Sequence, residues 1–170
     1  FVSPEHIAAA RKIGAESIVL LRNDGGILPI KNARKILVVG ENAVKMMTVG
    51  GGSSSLKVKN EVSPLDGIRE RFADAKVVYE RGYVGDASGQ FDGVTTGQDL
   101  SESRSAEKLI SDAVAAAKDA DYVIFIGGLN KSDHQDSEGN DRESYDLPYS
   151  QNAVIEALAA ANPKLVVVNI

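Results

Sequence analysis

Four short apolar segments alternate with segments of helical periodicity, and this alternation constrains the fold more than any other feature of the chain. The first and third segments are continuous runs rich in β-branched residues, which is typical of strands that are buried on both faces. The second segment is flanked by charged residues, which indicates a position nearer an edge. The predicted strands are residues 35–40, 76–80, 121–127 and 164–170.

Strands that alternate with helices predict an α/β fold with a mainly parallel sheet, right-handed crossovers and helices on both faces. With the second strand at an edge and the first and third at the centre, we expect the strand order 2-1-3-4, as in a flavodoxin-like three-layer sandwich. Ligands of such sheets bind beyond the carboxyl ends of the strands, where the order reverses between strands one and three. The predicted helices are residues 64–72, 103–118 and 148–161, and residues 81–101 are predicted to be loop.

The residues before the first strand form a separate segment. Ser3 followed by Pro4 predicts a helix start, because the hydroxyl can cap the helix and proline suits its first position. We interpret residues 1–34 as a connector helix and linker, and residues 35–170 as the α/β domain. Because the apolar run of the last strand continues to Ile170 without a turn, we expect this domain to be incomplete at its C-terminal end.

The composition narrows the class of protein. The chain has 170 residues, of which 43% are hydrophobic, and this suffices for one core. The net charge of −5, without any basic block, predicts no nucleic-acid partner. The apolar runs are too short to span a bilayer, so no membrane partner is expected. The absence of cysteine excludes disulfide bonds and Cys-based zinc sites, and no cofactor is predicted.

An acidic loop, residues 129–147, joins the third strand to the next helix. Ordered loops of this length in compact domains are usually functional. We therefore interpret it as a site loop at the carboxyl end of a strand, with Glu138 as its main chemical group. A solvated acidic connection is the alternative. A calcium or magnesium site is a further one, although the EF-hand spacing is absent.

Residues late in the acidic loop are predicted to support it. The guanidinium of Arg142 is expected to form an ion pair with Asp141 or Asp146 and so to stiffen the loop. Tyr145 is expected to anchor the loop against the sheet.

A glycine loop, residues 41–55, follows the first strand and contains a run of glycines and serines. It lacks the G-x-G-x-x-G and P-loop patterns, so a phosphate cradle is not indicated. It also lacks the G-x-S-x-G elbow of a nucleophilic serine. We favour a loop that approaches a polar, uncharged ligand closely and donates backbone hydrogen bonds from Gly51, Gly52, Ser53 and Ser54. A flexible surface loop is the alternative.

At four places the chain resembles the second, α/β-sandwich domain of glycoside hydrolase family 3 β-glucosidases. The matches follow the family order and cover nearly the whole chain, although residues 82–105 match no motif. The matching residues are 17–30; 35–40 with Asn42 and Ala43; 50–54 with Val62, Pro64, Gly67 and Ile68; and 138–148 with Gln151, Asn162 and Pro163.

This resemblance implies retaining hydrolysis of a terminal, non-reducing β-linked sugar in a glycoside or oligosaccharide. In that reaction two carboxyl groups lie about 5–5.5 Å apart, one as nucleophile and one as acid/base. The resemblance assigns the acid/base to Glu138, in the E-G-x-D-R pattern, and places the glycine loop in the sugar pocket. It assigns the nucleophile to an aspartate of a preceding (β/α)-barrel domain of the same polypeptide, and it favours a secreted or periplasmic protein.

Two alternatives follow from the same residues. The domain could bind sugar or act as a scaffold in a glycosidase whose acid/base lies elsewhere. It could also be a receiver-like or nucleotide-binding domain, a class that needs an acidic residue directly after the first strand. Glu41 meets that requirement.

Overall fold

The computed structural model describes residues 2–48, 56, 58–85, 90, 91, 94, 95, 98–130, 135 and 141–170. The chain divides into two compact units, Phe1–Lys31 and Asn32–Ile170. The role of residues 1–34 as a connector to a preceding domain stays a prediction. Within the described residues, no helix combines the length and the hydrophobicity that crossing a membrane requires.

The first unit contains one helix and an irregular segment. Helix α1 spans Pro4–Glu16, and the hydroxyl of Ser3 caps it by accepting a hydrogen bond from the backbone N–H of His6 at 3.4 Å. The predicted helix start is therefore the observed one. After the helix, the side-chain amide of Asn23 makes hydrogen bonds of 2.9 and 3.1 Å with the backbone of Leu28, and these fix the turn between the two residues.

The second unit contains the predicted sheet. Its strands are β1 (Lys35–Val39), β2 (Lys76–Glu80), β3 (Gln90–Phe91), β4 (Val94–Thr95), β5 (Tyr122–Gly127) and β6 (Leu165–Asn169). Four of them pair in parallel in the order β2-β1-β5-β6, which is the predicted 2-1-3-4 arrangement and confirms the α/β class. β3 and β4 form a separate antiparallel pair in a segment that was predicted to be loop only.

The core lies between the sheet and two packed helices. The helices of this unit are α2 (Pro64–Arg71), α3 (Ala106–Lys118) and α4 (Gln151–Ala161). The core cluster contains Leu37, Val39, Tyr83, Ala113, Ala117, Val123, Phe125, Val154 and Leu158. Ile36, Val38 and Ile124, which alternate with the core residues of β1 and β5, are also buried. The two central strands are therefore covered on both faces, as their uninterrupted apolar runs predict.

Helices α3 and α4 each begin three residues later than predicted. For α3 the reason is the cap: the hydroxyl of Ser105 accepts a hydrogen bond from the backbone N–H of Lys108 at 3.2 Å. For α4 the reason is the backbone of Tyr149, whose φ of 61° lies in the left-handed region and cannot belong to a right-handed helix.

Strand β6 should make the isolated chain self-associate. It pairs with β5 on one side, and among the described residues no strand pairs with its other side. Val167 and Val168 of this strand are 42% and 39% exposed, and an open apolar edge strand is a template for pairing with a second chain. Sedimentation should show association that rises with concentration and that Val168→Lys reduces.

Val62→Lys is the control for this experiment. Val62 is also exposed, but it precedes α2, which packs near β2 at the opposite edge of the sheet. Val62→Lys adds the same charge as Val168→Lys and should leave association unchanged. A chain that stays monomeric at high concentration, or that responds equally to both substitutions, would show that the β6 edge is not the contact.

Candidate functional site

The glycine loop and the acidic loop leave the sheet side by side. β1 and β5 pair in parallel with Val39 opposite Phe125, so the loops that follow them begin at the same edge. The strand order reverses between these two strands, which is where ligands of such sheets bind. Gly40, with a φ of 118°, ends β1 so close to β5 that a Cβ there would meet the carbonyl oxygen of Ile126. Only glycine fits this junction.

The predicted site residues themselves lie outside the described residues. These are Glu138 in the acidic loop and Gly51, Gly52, Ser53 and Ser54 in the glycine loop. Their roles stay predictions, and what the structure describes is the chain that flanks them. Within the described residues, no group of three or more His, Asp or Glu side chains is placed to hold a metal ion.

A buried carboxylate lies where the two loops begin. Glu41 starts a short 3-10 helix just past β1, and its side chain is 0% exposed. Its Oε2 accepts hydrogen bonds from Nη2 of Arg81 at 2.7 Å and from the backbone N–H of Gly85 at 2.9 Å. The Nζ of Lys45 lies 3.7 Å from its Oε1. A buried carboxylate needs such partners, and through them Glu41 ties the end of β1 to the segment after β2.

The same contacts argue against a receiver-like domain. In that class the acidic residue after the first strand must be reachable by a phosphoryl donor or a metal ion. Glu41 is instead enclosed between two cationic side chains. Arg81 is committed as well, because its Nη1 donates to the backbone carbonyls of Leu100 and Ser101. We interpret Glu41 as a structural residue of the site.

Three polar side chains join the two ends of the acidic loop, and we call them the loop base: Asn130, Gln135 and Tyr149. The hydroxyl of Tyr149 accepts hydrogen bonds from Nε2 of Gln135 at 2.7 Å and from Nδ2 of Asn130 at 3.1 Å. The backbone N–H of Asn130 donates to Oε1 of Gln135 at 3.2 Å. Residues at the start of the loop therefore contact a residue just beyond its end.

The anchor of the acidic loop is Tyr149, and the prediction of Tyr145 for this role is wrong. Tyr145 is 98% exposed. The ring of Tyr149 stacks on Tyr83 with centroids 6.1 Å apart and an interplanar angle of 18°. Burial raises the pKa of Tyr83 well above its usual value, so Tyr83 remains a neutral phenol beneath this stack. The sequence signal that would have favoured Tyr149 is its place next to the first turn of α4.

Arg142 shapes the end of the acidic loop through backbone contacts. Its guanidinium donates to the carbonyl oxygens of Ser144, Tyr145 and Asp146 and not, among the described residues, to the carboxylates of Asp141 or Asp146. The expected ion pair is therefore not found there. The reason is local: the turn directs several carbonyls at the guanidinium, while the Asp146 carboxylate accepts a hydrogen bond from the Ser144 hydroxyl at 3.3 Å. The support roles of Asp141 and Arg142 stay predictions.

The first half of the glycine loop is held by two polar side chains. Glu61 accepts hydrogen bonds from the backbone N–H groups of Met47 at 2.9 Å and Thr48 at 3.4 Å. Gln98 accepts from the N–H of Met46 at 3.0 Å. No sequence pattern links Glu61 or Gln98 to this loop, so neither residue was predicted from the sequence.

A cleft of about 230 Å³ opens beside this part of the glycine loop. Its lining mixes carboxylate, guanidinium, amide and hydroxyl groups with apolar side chains. The lining residues are Val44, Met46, Glu61, Ser63, Leu65, Asp66, Arg69 and Gln98.

An α/β sandwich with two long loops at the reversal of its strand order belongs to the class of α/β domains that carry a ligand site at the carboxyl edge of the sheet. Comparison of the sequence with known protein families identifies the family of this chain. The model of the glycosyl hydrolase family 3 C-terminal domain matches residues 18–170, and the chain belongs to this family as that domain.

Known proteins similar to this chain are much longer. "Beta-glucosidase BoGH3A" of Bacteroides ovatus is 45% identical over 173 residues, which cover 98% of this chain and 22% of that protein. "Exo-alpha-(1->6)-L-arabinopyranosidase" of Bifidobacterium longum is 36% identical over 172 residues, which cover 96% of this chain and 20% of that protein. The crystal structure of a GH3 beta-glucosidase from Bifidobacterium adolescentis matches with a TM-score of 0.75 at 34% identity, over 99% of this chain and 22% of that one. The chain spans about a fifth of the length of these relatives.

Proposed function

We propose that this chain is the second domain of a retaining β-glycosidase that removes terminal non-reducing sugars, and that it supplies the acid/base Glu138 and part of the sugar pocket. Family membership and the relatives named β-glucosidases support this, and they favour a β-glucosidase. One observation carries the proposal. The loop with the glycine run continues from β1 and the loop with Glu138 continues from β5, and these two strands are adjacent, parallel and central.

The proposed reaction needs two carboxyl groups about 5–5.5 Å apart. In the first step a carboxylate of the preceding barrel domain attacks the anomeric carbon, while Glu138 gives a proton to the leaving oxygen. In the second step Glu138 takes a proton from water, and that water hydrolyses the covalent glycosyl-enzyme. This domain thus provides both proton transfers, and the barrel provides the nucleophile.

The glycine loop is proposed to bind the sugar ring. Residues without bulky side chains allow backbone N–H groups to approach hydroxyl groups closely, and the serine hydroxyls add donors and acceptors. The polar cleft beside the start of this loop supports the assignment. Glu61 and Gln98 hold residues 46–48 of this loop, which precede Gly51, Gly52, Ser53 and Ser54 in the sequence.

The 170 residues alone should not turn over an aryl β-glycoside, because the proposed nucleophile lies in the preceding domain. The full-length protein should hydrolyse the same substrate and release the β anomer first, since double displacement retains configuration. Proton NMR of the first product measures the anomer. The control is the full-length protein, assayed under the same conditions as the isolated domain.

An initial α anomer from the aryl β-glycoside, or saturable activity of the isolated 170 residues, would contradict the proposed reaction. The sugar is tested in the same assay with aryl β-glucoside, aryl β-xyloside and aryl α-L-arabinopyranoside, because the named relatives include glucosidases and an arabinopyranosidase. We expect the glucoside to give the highest kcat/KM.

A further inference from the structure

We infer that Tyr149 is a positioning residue for the acidic loop and, because the inference rests on the proposed function, for the proton transfer of Glu138. The hydroxyl of Tyr149 is the point where the two ends of this loop meet. Gln135 lies three residues before Glu138 in the sequence and Tyr149 lies eleven residues after it. A contact between these two residues limits where the chain between them can go.

The loop base is fixed to the rigid part of the domain on both sides. On the β1 side, Nδ2 of Asn42 donates to the carbonyl of Leu129 at 3.0 Å. Nδ2 of Asn130 lies 3.5 Å from the buried carboxylate of Glu41, in addition to its bond with Tyr149. These contacts join the start of the acidic loop to the turn that follows the central strand β1.

On the other side the ring of Tyr149 stacks on Tyr83, which belongs to the core cluster and is 1% exposed. The hydroxyl and the ring of Tyr149 therefore have separate tasks. The ring attaches the residue to the core, and the hydroxyl attaches the loop to the ring. Replacement by phenylalanine removes the hydrogen bonds of the hydroxyl and keeps the stacking of the ring on Tyr83.

General acid catalysis depends on how accurately the loop base holds the acidic loop. A general acid has to lie within about 2.6–3.2 Å of the oxygen that it protonates. A misplacement of about 1 Å can lower the rate by about a hundredfold. A loop whose base is loosened would place its acid less accurately, and the loss would appear only in reactions that need the proton.

The test is Tyr149→Phe in the full-length protein. We expect kcat/KM for a disaccharide to fall about tenfold, because the loop loses both of its hydrogen bonds to the Tyr149 hydroxyl and then places the acid less accurately. The kcat/KM for a 2,4-dinitrophenyl glycoside should stay the same, because this leaving group needs no proton. Tyr145→Phe is the matched control. It removes a hydroxyl from an exposed tyrosine of the same loop and should change neither value.

Hydrogen exchange in the same variants reports on the loop without reference to its chemistry. Tyr149→Phe should speed exchange of the hydrogen-bonded backbone N–H groups of Leu129 and Asn130, at the start of the loop, and leave α4 unchanged. Tyr145→Phe should not change the exchange of either group. Unchanged exchange in Tyr149→Phe, or equal losses for both substrates, would overturn the positioning role. If Glu138→Ala shows no dependence on the leaving group, the proposed acid fails, and the exchange result separates that failure from a failure of Tyr149 to hold the loop.

Discussion

Glu138→Ala in the full-length protein should lower kcat/KM for a natural disaccharide by about 10²–10⁴, the usual contribution of general acid–base catalysis. The alcohol released from a disaccharide is a poor leaving group and needs a proton as the glycosidic bond breaks. A 2,4-dinitrophenolate leaves without one, so kcat/KM for the activated glycoside should change little. The kcat for the activated glycoside should fall, because hydrolysis of the covalent intermediate becomes slow when no general base activates the attacking water. Steady-state kinetics with the two substrates measures all of these values.

Two other acidic residues of the same loop serve as controls. Asp136→Ala and Asp141→Ala each remove one negative charge near Glu138 in the sequence. On this proposal neither residue transfers a proton, so neither substitution should separate the two substrates. If Asp136→Ala or Asp141→Ala shows the pattern predicted for Glu138→Ala, the assignment of the acid moves to that residue.

Arg81→Met should lower the free energy of unfolding by about 3–5 kcal/mol, the usual cost of removing one partner of a buried ion pair. Glu41 has no exposed surface, and its shortest charged contact is the 2.7 Å bond from Arg81. The remaining cation, Lys45, lies 3.7 Å away. The backbone carbonyls of Leu100 and Ser101 would lose a donor as well. Urea unfolding of the chain at low protein concentration measures the loss.

Arg69→Met is the matched control for Arg81→Met. Arg69 and Asp66 form an ion pair of 3.7 Å whose side chains are 50% and 63% exposed. Exposed pairs contribute about 0–1 kcal/mol, so the same substitution should have little effect there. Equal losses at the two positions would show that burial of Glu41 does not set the stability of this edge of the sheet.

The architecture could be predicted because its signals are local. Uninterrupted β-branched runs mark β1 and β5 as central, and the charges that flank β2 mark it as an edge, and both signals agree with the order β2-β1-β5-β6. The first residues of α3 and α4 were harder to predict from the sequence. The cap by Ser105 and the left-handed backbone of Tyr149 depend on how the preceding loops pack, and periodicity does not report on that.

The neighbouring positions of the two loops were predictable, and the contacts that support them were not. Parallel strands with a reversed order place the two loops together, whatever their residues are. The role of Glu41 was missed because its partners Arg81 and Asn130 lie 40 and 89 positions away in the sequence. Tyr145 and Tyr149 lie close together in the sequence, and the place of Tyr149 next to α4 is a weak signal that separates them. Only the fold shows that Tyr149 meets the core through Tyr83 while Tyr145 faces solvent.

The reaction of Glu138→Ala with azide, in the full-length protein and with an activated aryl glycoside, tests most directly whether this domain supplies the acid/base. Azide is a small anion that can attack the covalent intermediate without a general base. If Glu138 is the acid/base, turnover should rise with azide concentration and the product should be the β-glycosyl azide, with no such rise in the unsubstituted enzyme or in Asp141→Ala. No acceleration and no glycosyl azide, together with equal losses for activated and natural substrates, would contradict this assignment and place the acid outside this domain.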